Sequence, residues 1–276
     1  MRTLNRALGI AVMLAGAALA APLWAQEASA PAAGAKPEAE AEGHNNASDY
    51  KHWKANNQVT NLASLQRGAR NYLGYCSGCH SLKYMRYSRM AEDLDIPEAQ
   101  LAELMLPGDK PADYILSSMP ATDATSWFGK VPPDLSLMVR ARGGPDHIYQ
   151  FLKTFYADAT KPTGTNNLTL DGTAMPNVLS ELEGVKKAVY KEEQKTGEDG
   201  KPRTERVFEK FELIVPGRLS EADYDAFVRD TVNFLDYASE PAQAKRRHLG
   251  VFVVLFLIAF TWLTMLLKKE YWKDVH

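Results

Sequence analysis

The segment most able to do chemistry in this chain is Cys76-Ser77-Gly78-Cys79-His80. Two thiols at this spacing can each add across one vinyl group of a single porphyrin, and the histidine that follows then lies under the iron as an axial ligand. Two other chemistries use C-x-x-C. A redox dithiol belongs beside a βαβ pattern, which the sequence lacks. A zinc centre needs four nitrogen or sulfur ligands at paired spacings. No second cluster of Cys or His is present, and Cys76 and Cys79 are the only 2 cysteines in 276 residues. The segment therefore points to one covalently attached haem c, held by Cys76 and Cys79 and ligated by His80.

A haem that only moves electrons is best six-coordinate, so that the iron reorganises little and small molecules are kept off. A Met thioether opposite His raises the potential relative to a second nitrogen ligand. Of the 9 methionines, two stand in loops directly before proline, Met119-Pro120 and Met175-Pro176. Proline stiffens the chain there and removes a competing N–H donor. Spacing leaves both open. Met175, in Gly172-Thr173-Ala174-Met175-Pro176-Asn177, precedes the last amphipathic segment of the body and suits a ligand delivered from the opposite side. His147 is the rival nitrogen ligand, in the first turn of an expected helix.

The elements that must position these groups are legible as two amphipathic segments. From about Asn61 into the haem motif, Leu62, Leu65, Ala69 and Tyr72 recur near helical spacing, and Gly68 allows another helix to approach closely. From Ser220 to about Tyr237, Tyr224, Phe227, Val228, Thr231 and Leu235 form one face, and Ser220 with Asp223 resembles a capping box. Between them the spacing allows helices over residues 97–106, 112–118 and 146–156, the last with Asp146 as N-cap. The Lys/Glu-rich residues 185–211, with the turn signal Glu198-Asp199-Gly200-Lys201, read as a surface hairpin or loop. There are no repeats and no nucleotide-binding loop, and no nucleic-acid partner is expected.

Both ends of the chain speak of a membrane. Arg2 and Arg6, then an apolar stretch too short for a span, then small residues before Ala20 or Ala25, read as an export signal over residues 1–25. Residues 26–49 are rich in Ala, Pro, Glu and Gly, a disordered linker by composition. Residues 249–267 are apolar apart from Gly250, Thr261 and Thr264. At 1.5 Å per residue they reach about 28 Å, close to one hydrocarbon thickness. Basic residues flank both ends (Lys245, Arg246, Arg247; Lys268, Lys269, Lys273), so charge alone hardly orients the span. The export signal orients it, with residues 50–244 as a periplasmic haem domain and residues 245–276 as anchor and short cytoplasmic tail in a bacterial inner membrane. The net charge of −2 hides a division: the ends are basic and the exported body acidic. Solubility explains an acidic body; so does steering of a basic soluble partner.

With these residues in view, the chain resembles the cytochrome c1 family, the haem subunits of quinol–cytochrome c oxidoreductase (bc1) complexes, in its proteobacterial form. The likeness is carried by Leu65-Gln66-Arg67-Gly68, by Tyr75-Cys76-Ser77-Gly78-Cys79-His80-Ser81-Leu82-Lys83-Tyr84-Met85-Arg86-Tyr87, and by Val131-Pro132-Pro133-Asp134-Leu135-Ser136. Val139-Arg140-Ala141-Arg142-Gly143-Gly144, Ala174-Met175-Pro176 and the juncture Lys245-Arg246-Arg247 follow in the same order. The resemblance implies a mainly α fold: a cytochrome c-like haem domain with long loops and a small hairpin, plus one C-terminal transmembrane helix. It implies His80 and Met175 as iron ligands, Pro133 against the haem, and Arg142 near a propionate, for which guanidinium offers a planar fork. The partners it implies are cytochrome b, the Rieske iron–sulfur protein as electron donor and a soluble c-type cytochrome as acceptor. No side chain need act as acid, base or nucleophile in such a relay. Two other functions fit a membrane-anchored c-type haem: an enzyme or gas sensor with an open distal site, and a carrier that feeds an oxidase without cytochrome b.

Overall fold

A computed structural model describes residues 47–196 and 202–274. The expected export signal and most of the expected linker lie outside them. A 3-10 turn, Ala47–His52, overlaps the end of the linker segment. It is followed by α1 (Leu62–Tyr75), β1 (Leu82–Arg86), α2 (Tyr87–Asp93), α3 (Glu98–Leu104), β2 (Tyr114–Ile115), α4 (Ala121–Phe128), α5 (Met138–Ala141) and α6 (Pro145–Lys153). Then come β3 (Phe155–Ala157), β4 (Thr165–Asn167), α7 (Ser180–Glu183), β5 (Gly184–Thr196), β6 (Pro202–Pro216), α8 (Glu221–Ser239) and α9 (Gln243–Tyr271). The strands form three antiparallel pairs, β1 with β2, β3 with β4 and β5 with β6.

Helices α1 and α8 make the frame. Each begins on a side-chain cap: Asn61 accepts from the Ser64 amide at 3.1 Å, and Ser220 accepts from the Asp223 amide at 3.1 Å. They cross at Gly68. A Cβ there would stand 2.0 Å from the Asp230 carbonyl oxygen and 2.7 Å from the Phe234 Cβ, so only glycine lets the backbones meet. Polar groups lock the crossing. The Asp230 carboxylate accepts from Ser64 Oγ at 2.6 Å, Arg67 Nε at 2.6 Å and Arg67 Nη2 at 3.0 Å. Asn233 Nδ2 donates to Ser64 Oγ at 2.9 Å, and Asn71 Nδ2 to Thr231 Oγ1 at 3.1 Å. Leu65, Ala69 and Tyr72 are buried as the spacing predicts, while Leu62, at the start of the stripe, is exposed. On α8, Tyr224, Val228, Thr231 and Leu235 are buried, and Phe227 stands edge-on to Tyr75 with ring centroids 5.3 Å apart.

The middle of the chain departs from expectation in three places. Residues 112–118 hold a strand instead of a helix. Ile115 pairs with Leu82, both fully buried, and Arg86 lies over the Tyr114 ring with its guanidinium carbon 4.0 Å from the centroid. Cross-strand packing outweighs the helical spacing there. Helix α6 is capped by Gly144 at φ +85°, with Pro145 opening the helix, so Asp146 is not the cap. The Asp146 carboxylate instead accepts from the Ala55 amide and Lys54 Nζ, each at 2.9 Å. The same helix stops at Lys153 because Phe155 and the next two residues join β4. The charged segment is a hairpin, as read, but it runs on to Pro216. Phe208 seats it against Tyr50, ring centroids 5.9 Å apart and edge-on. Lys186, buried at its root, donates to the Lys153 carbonyl at 2.6 Å and pairs with Glu183.

Helix α9 is long and apolar enough to cross a membrane, with mean hydropathy 2.5 over its most apolar window and none of that window buried in the chain. Its 29 residues reach about 43 Å, the hydrocarbon core plus both interfaces.

Gly68→Ala should lower stability by about 2 kcal/mol or more, since the added methyl meets backbone that cannot turn away. Denaturant unfolding of the haem-loaded chain measures this, and an unchanged midpoint would mean that α1 and α8 can separate without loss.

Candidate haem-attachment site

Helix α1 delivers the haem motif by ending on it. The Tyr72 carbonyl accepts from the amides of Cys76 at 2.8 Å and Ser77 at 2.9 Å, and Ser77 Oγ caps the Leu73 carbonyl at 2.7 Å. The Cys76 carbonyl then accepts from Cys79 N at 3.1 Å and His80 N at 2.8 Å. This single turn brings both thiols and the imidazole to one end of the helix. Burial pushes the Cys76 thiol up to about 12, with the Cys79 sulfur adding to the effect, and burial also raises the Cys79 thiol. A redox C-x-x-C uses the opposite, a depressed thiol pKa.

His80 is held through both its ring and its backbone carbonyl. Its ring Nδ1 lies 2.7 Å from the Pro133 carbonyl oxygen. A carbonyl only accepts, so Nδ1 carries the proton, and the neutral ring leaves its lone pair on Nε2. Burial lowers the His80 pKa against the opposing pull of the Pro133 bond and Asp134, which favours that neutral form. Tyr72, fully buried, donates its hydroxyl to the His80 carbonyl at 2.6 Å. An imidazole with one nitrogen tied to a carbonyl and the other free is the form in which histidine ligates a metal.

The segment that supplies the Pro133 carbonyl is itself sewn to the motif. The Leu135 amide donates to the Ser81 carbonyl at 2.9 Å. Asp134 accepts from the Lys83 amide at 2.9 Å and the Ser136 amide at 3.0 Å. From the other side Ser117 Oγ donates to the Gly78 carbonyl at 2.7 Å, and Ser81 Oγ accepts from the Ser117 amide at 2.8 Å.

The two methionines fall in different places. Met119 follows Ser117, whose Oγ accepts from its amide at 3.1 Å, so it belongs to the strand of chain tied to the attachment turn. Met175 is partly buried and packs against the hydrophobic core, in a loop where Thr173 Oγ1 accepts from its amide at 3.4 Å. Arg142 closes α5, its amide donating to the Met138 carbonyl at 3.0 Å. Its side chain is exposed and makes no hydrogen bond or ion pair among the described residues. His147 sits half-buried in the first turn of α6, apart from the bonds that hold the motif.

A profile of the Cytochrome C1 family matches residues 52–206 and 219–275. The chain belongs to the cytochrome c1 family. It is 48% identical over 223 residues to "Cytochrome c1" of Allochromatium vinosum, covering 80% of this chain and 88% of that protein. It is 39% identical over 234 residues to a Nitrosomonas europaea protein named "Ammonia monooxygenase gamma subunit", covering 84% of this chain and 92% of the relative. A Candida albicans relative, "Cytochrome b-c1 complex catalytic subunit, mitochondrial", is 29% identical over 240 residues, covering 77% of this chain and 72% of that protein. Cytochrome c1 proteins carry a covalently bound haem c and serve electron transfer in the bc1 complex. The donor set here fits that cofactor: two uncharged thiols on one turn and a neutral imidazole with Nε2 free. Among the described residues no group of three or more His, Cys, Asp or Glu side chains is placed to hold a metal ion.

The sequence reading named the thiols, His80 and Pro133 but missed Tyr72, Ser117 and Asp134 as the groups that hold them. Tyr72 is legible only as one more member of a helix face, and Ser117 lies in the segment read as helical. Asp134 is in the Pro-Pro-Asp-Leu-Ser run, and its position two residues before Ser136, where a short acid side chain caps a turn, is the signal that could have found it. Tyr72→Phe should lower stability by about 1–2 kcal/mol, the cost of losing the bond to a partly buried carbonyl, while haem stays covalently bound. Thermal unfolding followed at the haem band reads the loss; none at all would mean water replaces the hydroxyl.

Proposed function

We infer that this chain passes one electron at a time from a Rieske iron–sulfur protein to a soluble c-type cytochrome, through a haem c attached to Cys76 and Cys79 and ligated by His80 and Met175. The observation that carries the reading is the His80–Pro133 hydrogen bond, 2.7 Å long, which fixes the ring and frees Nε2 beside the two thiols. When bound, haem c supplies the one-electron iron couple. The protein's part is to hold, orient and tune it. Cys76 and Cys79 prevent its loss. Pro133, through its carbonyl, sets the ring orientation and adds basicity to the ligand nitrogen. Met175 brings a soft thioether from a core-packed loop, which favours the reduced state and keeps small molecules off the iron. The exposed Arg142 guanidinium is available to a propionate.

In this reading α9 is a single span in a bacterial inner membrane beside cytochrome b, with the haem domain in the periplasm and the C-terminus cytoplasmic. The basic residues at both ends of α9 fit either direction, and the expected export signal selects this one. The acidic body would attract a basic acceptor at long range. The name of the Nitrosomonas relative, a subunit of an ammonia monooxygenase, favours a second reading, in which the same carrier serves an oxygenase instead. The membrane protein that co-purifies with the chain separates the two: cytochrome b supports the first, its absence the second.

Met175→Leu should leave haem covalently attached, lower its potential by on the order of 0.2 V within the roughly 0.8 V that axial ligands span, and let carbon monoxide bind. An unchanged potential with no carbon monoxide binding would remove Met175 from the role. Cys76→Ser combined with Cys79→Ser should abolish haem that survives denaturing electrophoresis; a haem-stained band in the double variant would refute attachment at this site. Electron transfer to a basic cytochrome should slow as salt rises, and a flat response between low and physiological ionic strength would leave the acidic body as a solubility feature.

A further inference from the structure

Between α8 and α9 the chain is interrupted by Glu240, Pro241 and Ala242. Glu240 leaves helical geometry at φ −155°, ψ 79°, and α9 starts afresh on Ala242. The apolar stretch of α9 buries nothing against the rest of the chain. At the joint itself only Gln243 of α9 is buried, its amide donating to the Glu240 carbonyl at 2.9 Å, so little else would stop the haem domain swinging about its membrane helix.

One carboxylate stands across that break. Glu240 Oε1 accepts from Arg246 Nε at 2.7 Å and Oε2 from Arg246 Nη2 at 3.0 Å, a two-point grip from the first turns of α9. Oε2 also accepts from Arg140 Nη2, which comes from α5. The Glu240 side chain is about 20% exposed, whereas the arginines are half-exposed or more. Asp236, one turn earlier on α8, feels Arg140 and Arg247 as well, so the acidic end of α8 faces arginines from two other elements. A lone exposed ion pair is a weak restraint. Two guanidinium groups on one mostly covered carboxylate, one of them bidentate, are a stronger one, and a low-dielectric lipid surface at the start of the apolar stretch would strengthen both.

The other end of this connection is the haem site. Arg140 lies in the run that starts at Pro133, whose carbonyl holds His80, and is pinned to Ser81 through Leu135. The run 133–142 is thus bonded to the haem motif at one end and to the membrane-helix hinge at the other. We propose that Glu240 is a positioning residue, clasped by Arg140 and Arg246, that fixes the angle between the haem domain and its membrane helix. In a relay whose electron arrives from a membrane-seated partner, that angle sets where the haem edge stands above the bilayer. The proposal rests on the haem reading above for its first readout and on the membrane span of α9.

The test uses the full haem-loaded chain, without partner subunits, in stacked oriented bilayers. Paramagnetic resonance of the ferric haem is recorded as the membrane normal is turned in the field. The wild type should give peaks that rise and fall strongly with angle. Glu240→Gln, and Arg140→Gln combined with Arg246→Gln, should flatten that dependence, and Glu240→Asp should keep most of it. Equal angular contrast in Glu240→Gln and wild type, or none in the wild type, would overturn the proposal. Should Glu240→Gln lose its haem, the half-exposed Arg140→Gln alone decides, with reduced contrast expected and full contrast refuting. A second reading needs no haem: hydrogen exchange at the amides of Gln243 and Arg246 in bilayers should speed up in Glu240→Gln. Normal exchange there refutes the clasp, whereas a missing haem signal in every protein, wild type included, would sink the reading of the site and leave exchange to judge the clasp.

Discussion

Everything in the haem domain depends on how closely α1 and α8 approach at Gly68. The Asp230 carbonyl occupies the space a side chain would need, 2.0 Å from where a Cβ would sit. That contact places the C-terminal end of α1, and with it the haem motif, at a fixed height on α8. The Asp230 carboxylate then satisfies Ser64 and Arg67 across the same crossing. An acid so placed costs desolvation unless it is well paired, and here one arginine and one hydroxyl donate three hydrogen bonds to it. Register along the helix pair is thereby set by one glycine and one aspartate, in chemistry that a shift of one residue would destroy.

The attachment turn gains its rigidity from that frame and from segments far away in sequence. Residues 133–136 and 117 bring carbonyl, carboxylate and hydroxyl groups to a turn that on its own could hold only its local hydrogen bonds. For a redox centre this matters because the iron should meet the same geometry in both oxidation states. A ring tied through Nδ1 and a backbone tied through Tyr72 leave His80 little freedom to answer a change of charge. The thiols, raised by burial, would enter the site uncharged, consistent with conversion to thioethers instead of redox cycling.

What the sequence made legible follows from which forces are local. The C-x-x-C-H spacing, the stripes of α1 and α8, the Ser220 cap of α8, the hairpin and the apolar α9 are all encoded within a few residues, and all are found. Gly68 was readable as a close approach because glycine inside an apolar stripe has few other uses. What was missed is set by distant partners. Tyr114-Ile115 became a strand because Leu82, some thirty positions earlier, offered a buried neighbour. Asp146 abandoned the cap of α6 because the Ala55 amide and Lys54 offered it more, and Gly144 with positive φ could replace it. Leu62, the first residue of α1, stays exposed. Tyr72 and Ser117 hold the site through backbone carbonyls, and the acceptor side of such bonds leaves no residue type to read.

The run from Pro133 to Arg142 shows how one short stretch can serve two constraints that a composition-based reading treats separately. Its first carbonyl is committed to His80, its middle packs α5 on α8, and its arginines diverge: Arg140 turns toward Glu240 at the start of α9, whereas Arg142 is exposed and unpaired among the described residues. The spacing of two on a single helical turn sends the two guanidinium groups to different faces. A haem domain tethered by one helix must solve two problems, holding the cofactor and presenting it at a defined distance from the bilayer. Both tasks draw on the same ten residues: Pro133 accepts from the His80 ring, and Arg140 shares the Glu240 carboxylate with Arg246 of α9.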